Sequence, residues 1–220
     1  MHIEHFKIIK VSGGNMFSYF KRAFYKRNDK ALRIDGKHCY LRTFTERDAF
    51  ELASLLSRNK YFWSQFEPLH REEFYTVEAQ HKKIIESLQM LAMRREYSLG
   101  IFDYRTNTLI GHISLYAIKR VPYSSAFIGY SMDQSYTGRG IASEAVQLML
   151  QLAFQTLQLH RVEAYIAPDN IASIRVIEKN GFQREGLLRK LLYINGYWVD
   201  HYLYAILEED FSKHREQGNV

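Results

Sequence analysis

The stretch Thr137-Gly138-Arg139-Gly140-Ile141-Ala142 carries the most chemistry for its length. Two glycines one residue apart let the backbone turn tightly and approach a ligand with no Cβ in the way. An apolar-periodic run follows from Ile141, so the turn should open a helix. The first amides of a helix lack intrahelical partners and point outward as donors. The helix dipole puts partial positive charge at the same end, and Arg139 adds a full one. Together these suit a phosphate or diphosphate, although a Gly-x-Gly turn also serves as a plain strand–helix junction. A dinucleotide fingerprint would want a third small residue at 143, a parallel βαβ unit and an acid about 20 residues on. Ser143 and Glu163 fit that spacing, but the elements before the turn do not. A Walker loop would need Gly-Lys-Ser/Thr, which is missing here.

Those elements can be read from periodicity. Lys37 to Phe44 alternates as a first strand, and Thr45 with Asp48 three residues on is a helix start. A helix carrying Phe50, Leu52, Leu55 and Leu56 should follow, and a second should run from about Val77 to Arg95. Tyr97 to Phe102, Thr108 to Ile118 and Ser125 to Met132 read as three consecutive strands, hence an antiparallel meander. Next come a helix over Ile141 to Leu157, a strand over Arg161 to Ala167 and a helix over Ile171 to Lys179, stopped by Asn180-Gly181. Asn195-Gly196 marks a hairpin between Phe182 to Ile194 and Tyr197 to Ile206. The expected fold is α/β (α+β): a mixed, mostly antiparallel central sheet of about seven strands with helices on both faces.

Composition narrows the class. The 220 residues are 46% hydrophobic and 25% charged, in the range of globular domains rather than disordered chains. A single cysteine, Cys39, excludes an intramolecular disulfide framework and a Cys-based structural zinc site. No stretch reaches the roughly 20 uncharged apolar residues of a membrane span, so a cytoplasmic protein is expected. Residues 1–33 hold eight Lys/Arg and two acids, which is the whole formal excess of +6. Phe17, Phe20 and Phe24 lie at helical spacing among those bases. Three readings stay open: a helix docking its rings on the main domain, a basic, aromatic contact with RNA, ribosome or a membrane surface, or a mobile tail. The expected organisation is a basic aromatic extension over 1–33, a domain over 34–210 and a tail over 211–220.

From Ile128 onward the sequence resembles the GNAT superfamily of acyl-CoA-dependent N-acetyltransferases, in particular its ribosomal-protein-alanine group. The likeness spans about Lys37 to Asp210. It rests on Tyr130, Gly138-Arg139-Gly140-Ile141-Ala142-Ser143-Glu144-Ala145, Ala153-Phe154, Leu159-His160-Arg161-Val162-Glu163-Ala164, Asn170-Ile171-Ala172-Ser173, Gly181-Phe182-Gln183-Arg184-Glu185-Gly186, and Gly196 with Asp200. The family's Q/R-x-x-G-x-G/A motif reads Thr137 to Ala142 here, with Thr137 in place of Gln or Arg.

The resemblance implies acetyl-CoA as co-substrate, no metal, and direct attack of an amine on the thioester without an acyl-enzyme. It implies that Tyr130, Ser131 and Met132 bind the pantetheine arm and polarise the thioester oxygen. Thr137, Gly138, Arg139, Gly140, Ile141, Ala142 and Ser143 would hold the diphosphate, and Asn170 and Ser173 would bind the pantetheine. The tyrosine that many members use as acid is replaced by Ile177, so Ser173 becomes the candidate acid. The candidates for the base are Glu185, Asp200, Tyr193 and Tyr202, none of them singled out; Glu185 and Asp200 match family positions, and each could equally be a structural partner for Arg184 or Arg189. Phe62, Trp63 and Phe66 either line the acceptor side or pack in the core, and His160 and Cys39 read as structural. The expected acceptor is a protein N-terminal α-amine, ribosomal-protein-like. The alternatives are a small amine such as a polyamine or antibiotic, or a non-catalytic CoA-binding module. The edge of the last hairpin is a candidate homodimer contact.

Overall fold

The computed structural model describes Ile8–Ile9 and residues 32–216. The expected aromatic helix over 17–24 therefore lies outside the described residues. One mixed sheet organises the molecule. Its strands are β1 (Ile8–Ile9), β2 (Arg33–Asp35), β3 (Cys39–Thr43), β4 (Tyr97–Asp103), β5 (Leu109–Lys119), β6 (Ser125–Met132), β7 (Arg161–Ile166), β8 (Gln183–Ile194) and β9 (Tyr197–Leu207). They lie in the order β1-β2-β3-β4-β5-β6-β7-β9-β8. Every neighbouring pair is antiparallel except β1 with β2 and β6 with β7. The mixed, mostly antiparallel sheet expected from the sequence is present. It is larger by β2 and the two-residue β1, both too short to show alternation.

Among the described residues five α-helices accompany the sheet: α1 (Ala49–Trp63), α2 (Val77–Ala92), α3 (Ile141–Gln151), α4 (Ile171–Lys179) and α5 (Glu208–Glu216). Thr45 and Asp48 form the capping box predicted at the head of α1, around a single 3-10 turn over Glu46–Asp48. Arg42 holds the same Asp48 through two 2.7 Å bonds. The α-helical part of α3 ends earlier than its apolar pattern suggests. From Leu152 the chain widens into a π-helical turn, with the Leu157 amide donating to the Leu152 carbonyl at 2.9 Å.

Alternation along the strands divides the core into two layers. Leu99, Ile101, Ile113, Leu115, Ala126, Ile128 and Met132 pack with Ile141, Ala145 and Met149 of α3 and Ile177 of α4. Phe211 of α5 joins this layer against Phe154, with ring centroids 5.3 Å apart. Tyr40, Phe44 and Phe102 pack on the opposite side with Leu52, Leu55 and Trp63 of α1 and Ile84 of α2. At roughly 25 cal/mol per Å² of apolar surface, these two layers supply most of the drive to fold. Cys39 is fully buried, and burial raises its thiol pKa, so it acts as a small apolar residue. Among the described residues no helix is long and apolar enough to cross a membrane.

Candidate active site

The site starts where two parallel strands part. β6 and β7 are in register only at Ser125↔Arg161, Ala126↔Val162 and Phe127↔Glu163. Beyond these pairs β6 continues to Met132 and β7 to Ile166, so alternate backbone groups of Ile128 to Met132 face an opened edge. Such a wedge between strands accepts a narrow chain that can pair with the free amides and carbonyls. Tyr130 is directed toward α4, and its hydroxyl donates to the Ser173 carbonyl at 3.2 Å. Burial pushes its pKa well up, so the phenol stays protonated and acts as a tether. Asn170 caps α4, its Oδ1 accepting the Ser173 amide at 3.1 Å. Ser173 is half-buried beside this wedge, whereas Ile177 is fully buried in the core and contributes no polar group.

The Gly-x-Gly turn lies at the head of α3. Gly138 and Gly140 have φ of 73° and 77°, a left-handed conformation that disfavours side chains. A Cβ built on either would meet nothing within 4 Å, so both face open space. The first helical bond runs from the Glu144 amide to the Gly140 carbonyl at 3.1 Å. The amides of Ile141, Ala142 and Ser143 precede it and have no intrahelical acceptor. Arg139 lies 4.9 Å over the Tyr136 ring and donates to the Ser135 carbonyl at 2.7 Å, which keeps its charge at the turn. Thr137 caps the preceding turn by donating to the Gln134 carbonyl at 2.8 Å. Ser143 Oγ accepts from Asn180 Nδ2 at 3.0 Å, tying α3 to the end of α4. Glu144 turns back to take the amides of Lys37 and His38, so its charge is engaged away from the turn. Exposed glycines, free amides and one arginine make a donor set that fits a diphosphate.

The opposite face of β6 opens on a cavity of about 490 Å³ between α1, α2 and the sheet. Trp63, Phe74 and Tyr75 line it together with Glu67, Glu96, Lys83 and His112. Ser131 is directed to this side and donates to the carboxylate of Glu67. Its register partner on β5 is His112, whose ring meets Trp63 edge-on at 5.5 Å. Burial lowers the His112 pKa; Glu67 opposes this and Lys83 adds to it, so the imidazole is neutral near pH 7. Trp63 Nε1 donates to the Met132 carbonyl at 2.8 Å and fixes the end of β6. Ser131 and Met132 are thus bound from the cavity side as well as flanking the wedge.

The sequence candidates for the base are placed elsewhere. Glu185 is paired with Arg161, Nη1 to Oε1 at 2.9 Å, and Arg161 also holds Glu163 at 2.6 Å. That hydrogen-bonded guanidinium keeps the Glu185 carboxyl below its usual pKa. Arg161 is the first residue of β7, at the closed end of the wedge, so Glu185 is a structural partner rather than a group beside Ser173. Asp200 accepts the Lys190 amide at 2.7 Å at a bulge of the hairpin. Tyr193 stacks edge-on with Trp198, and Tyr202 lies under Arg184. His160 is 3.9 Å from Glu209 on the surface. Of the three aromatics on α1 and its exit, Trp63 lines the cavity and Phe62 packs against the second core layer. Glu67 and His112 escaped the sequence reading, because the only local signal is that Glu67 follows Trp63 and Phe66 at the end of a helix.

Residues 38–183 match the family model described as "Acetyltransferase (GNAT) domain". The chain is 44% identical over 177 residues to "Probable N-acetyltransferase YjcK" of Bacillus subtilis, covering 80% of this chain and 98% of that protein. The crystal structure of a ribosomal-protein-S5-alanine acetyltransferase from Vibrio fischeri superposes with a TM-score of 0.78 at 29% identity, covering 82% of this chain and 98% of that one. Mycobacterium smegmatis RimJ in complex with CoA-disulfide superposes with a TM-score of 0.76 at 27% identity, covering 82% and 90%. These matches set aside the non-catalytic module. The chain belongs to the GNAT acetyltransferase family and is an acetyl-CoA-dependent N-acetyltransferase.

Proposed function

We propose that the acceptor is the N-terminal α-amine of a protein and that it enters through the α1–α2 cavity while acetyl-CoA enters through the β6–β7 wedge. The observation that carries this is the charge balance of the cavity. Its lining includes the carboxylates Glu67, Glu86 and Glu96 and the ammonium groups Lys60 and Lys83. A polycation would need a strongly acidic lining, whereas a peptide end brings one ammonium and several neutral amides. Gln80, Ser98 and Ser114 are there to meet such amides, and Phe74 and Tyr75 to cover a side chain. The volume of about 490 Å³ suits the tip of a chain. The name of the Vibrio relative, a ribosomal-protein-alanine acetyltransferase, supports the same reading.

In this reading the amides from Gly138 to Ser143 and the Arg139 guanidinium hold the diphosphate. Backbone groups of Tyr130, Ser131 and Met132 take the pantetheine arm and orient the thioester. An amide aimed at the thioester oxygen stabilises the oxyanion as the amine adds, typically worth about 3 kcal/mol. Asn170 keeps the start of α4 in place, and the Ser173 hydroxyl is the donor for the departing sulfur. The +6 carried by residues 1–33 supports a polyanionic partner such as a ribosome.

The test is release of free thiol from acetyl-CoA with a panel of N-terminal peptides, their N-blocked forms, and polyamines or aminoglycosides. Free peptides should turn over at least 100-fold more efficiently than the small amines, and blocked peptides not at all. Turnover of a polyamine with no peptide acetylated would overturn the substrate reading.

A further inference from the structure

We propose that Glu67 is the catalytic base: it receives the acceptor amine and takes its proton as the amide bond forms. The inference rests on the cavity being the acceptor site. Three observations point to it. Glu67 lines the cavity and is bonded to Ser131, one of the residues at the open end of β6 where the thioester is expected. It is the acid of the cavity that is bound directly to that strand; Glu96 accepts from Ser98 on β4. Its segment is also fixed at both ends by a residue remote in sequence. Asn195, in the β8–β9 turn, donates to the Ser64 carbonyl at 2.6 Å and accepts the Leu69 amide at 2.9 Å. Between those points the Phe66 and Glu67 amides both donate to the Trp63 carbonyl at 2.9 Å. A carboxylate on a segment pinned in this way is preorganised, the condition for a positioned group to act in the transition state.

The proton balance is simple. An acceptor ammonium loses one proton to solvent and arrives as the neutral amine. Its nitrogen bonds to the acetyl carbon, and the nitrogen's remaining excess proton passes to the Glu67 carboxylate. The carbon–sulfur bond breaks, the sulfur keeps the bonding pair and takes up a proton, and Glu67 returns its own to solvent. Ser173 gives the sulfur its proton and is reprotonated by solvent, so overall the ammonium nitrogen loses two protons, one to the sulfur and one to solvent. Facing Glu67 across the cavity are Lys60 from α1, His70 from the connecting turn, Lys83 and Glu86 from α2, Glu96 at the head of β4, and His112 from β5. Lys60 is engaged by Glu72 at 2.9 Å. His112 is the rival base, and the experiment separates the two.

The experiment compares Glu67→Gln, Glu67→Asp and His112→Phe with the natural protein, using whichever amine of the panel turns over fastest. Glu67→Gln should lower kcat at least 100-fold, with the Kd for acetyl-CoA unchanged within twofold and the same cooperative melting transition. Glu67→Asp should recover part of the rate, because the carboxylate is kept but withdrawn by one methylene. A Glu67→Gln rate within threefold of the natural rate would overturn the assignment, as would a larger loss for His112→Phe. Should only a small amine turn over, the peptide reading falls, and the same variants still decide the role of Glu67 on that amine.

Discussion

Substituting Gly140 isolates the electrostatics of the diphosphate grip. At φ 77° a side chain at this position costs about 1 kcal/mol of left-handed strain, and no atom lies within 4 Å of the new Cβ. Gly140→Asp and Gly140→Asn carry nearly the same strain and volume, and both should lower Tm by about 2–4 °C. They differ by one negative charge at the mouth of the donor set. A carboxylate about 5 Å from one diphosphate charge meets a repulsion of about 3 kcal/mol at an effective dielectric near 20. The position is exposed, so about 2–3 kcal/mol remains, which is roughly a 30- to 150-fold weaker Kd. CoA binding by titration calorimetry should show this loss for Asp, while Asn stays within about fivefold of the natural protein. At 1 M salt the Debye length falls to about 3 Å, so the gap between the two variants should shrink. Equal affinities for Asp and Asn, or natural affinity in both, would refute the placement of the diphosphate at this turn.

Further outcomes follow from named contacts. Trp63→Phe leaves the Met132 carbonyl without its 2.8 Å donor and should cost about 1–3 kcal/mol in chemical denaturation, with kcat falling as the end of β6 loosens. Asn195→Ala removes both ties to the Ser64–Leu69 segment, so the acceptor KM should rise while the acetyl-CoA KM stays constant. Asp48 is pulled two ways: burial raises its pKa, but Arg42 and Thr45 outweigh that and hold it below the usual carboxylate value. A lowered folded-state pKa stabilises above the unfolded value of about 3.9 and is lost as pH falls through the folded one. Melting temperature should therefore be flat near neutrality and drop below about pH 4. Asp48→Asn should show a smaller acid-induced drop from a lower starting stability.

What the sequence made legible was local. The Gly138 and Gly140 turn could be read because left-handed φ values demand glycine within a few residues of the helix they open. Ser125–Met132 and Ile171–Lys179 appear with the bounds their patterns predict, since alternation and capping are properties of short segments. The cavity between α1, α2 and the sheet was not legible, because its contacts join distant parts of the chain. Ser131 meets Glu67 across 64 positions, and Asn195 meets Ser64 across 131. Glu185 shows the converse: its motif position suggested catalysis, but folding gives it to Arg161, 24 residues away. Trp63 combines both readings offered for it, being 9% exposed in the core while its indole edge lines the cavity.

A crystal structure with a bisubstrate ligand, CoA joined through an acetyl linker to a peptide α-nitrogen, tests the whole arrangement at once. In this arrangement the diphosphate should lie on the amides ahead of Glu144, the linker at the parting of β6 and β7, and the peptide nitrogen beside Glu67 in the α1–α2 cavity. A peptide arm leaving instead over the α3–α4 face, with the cavity unfilled, would contradict it.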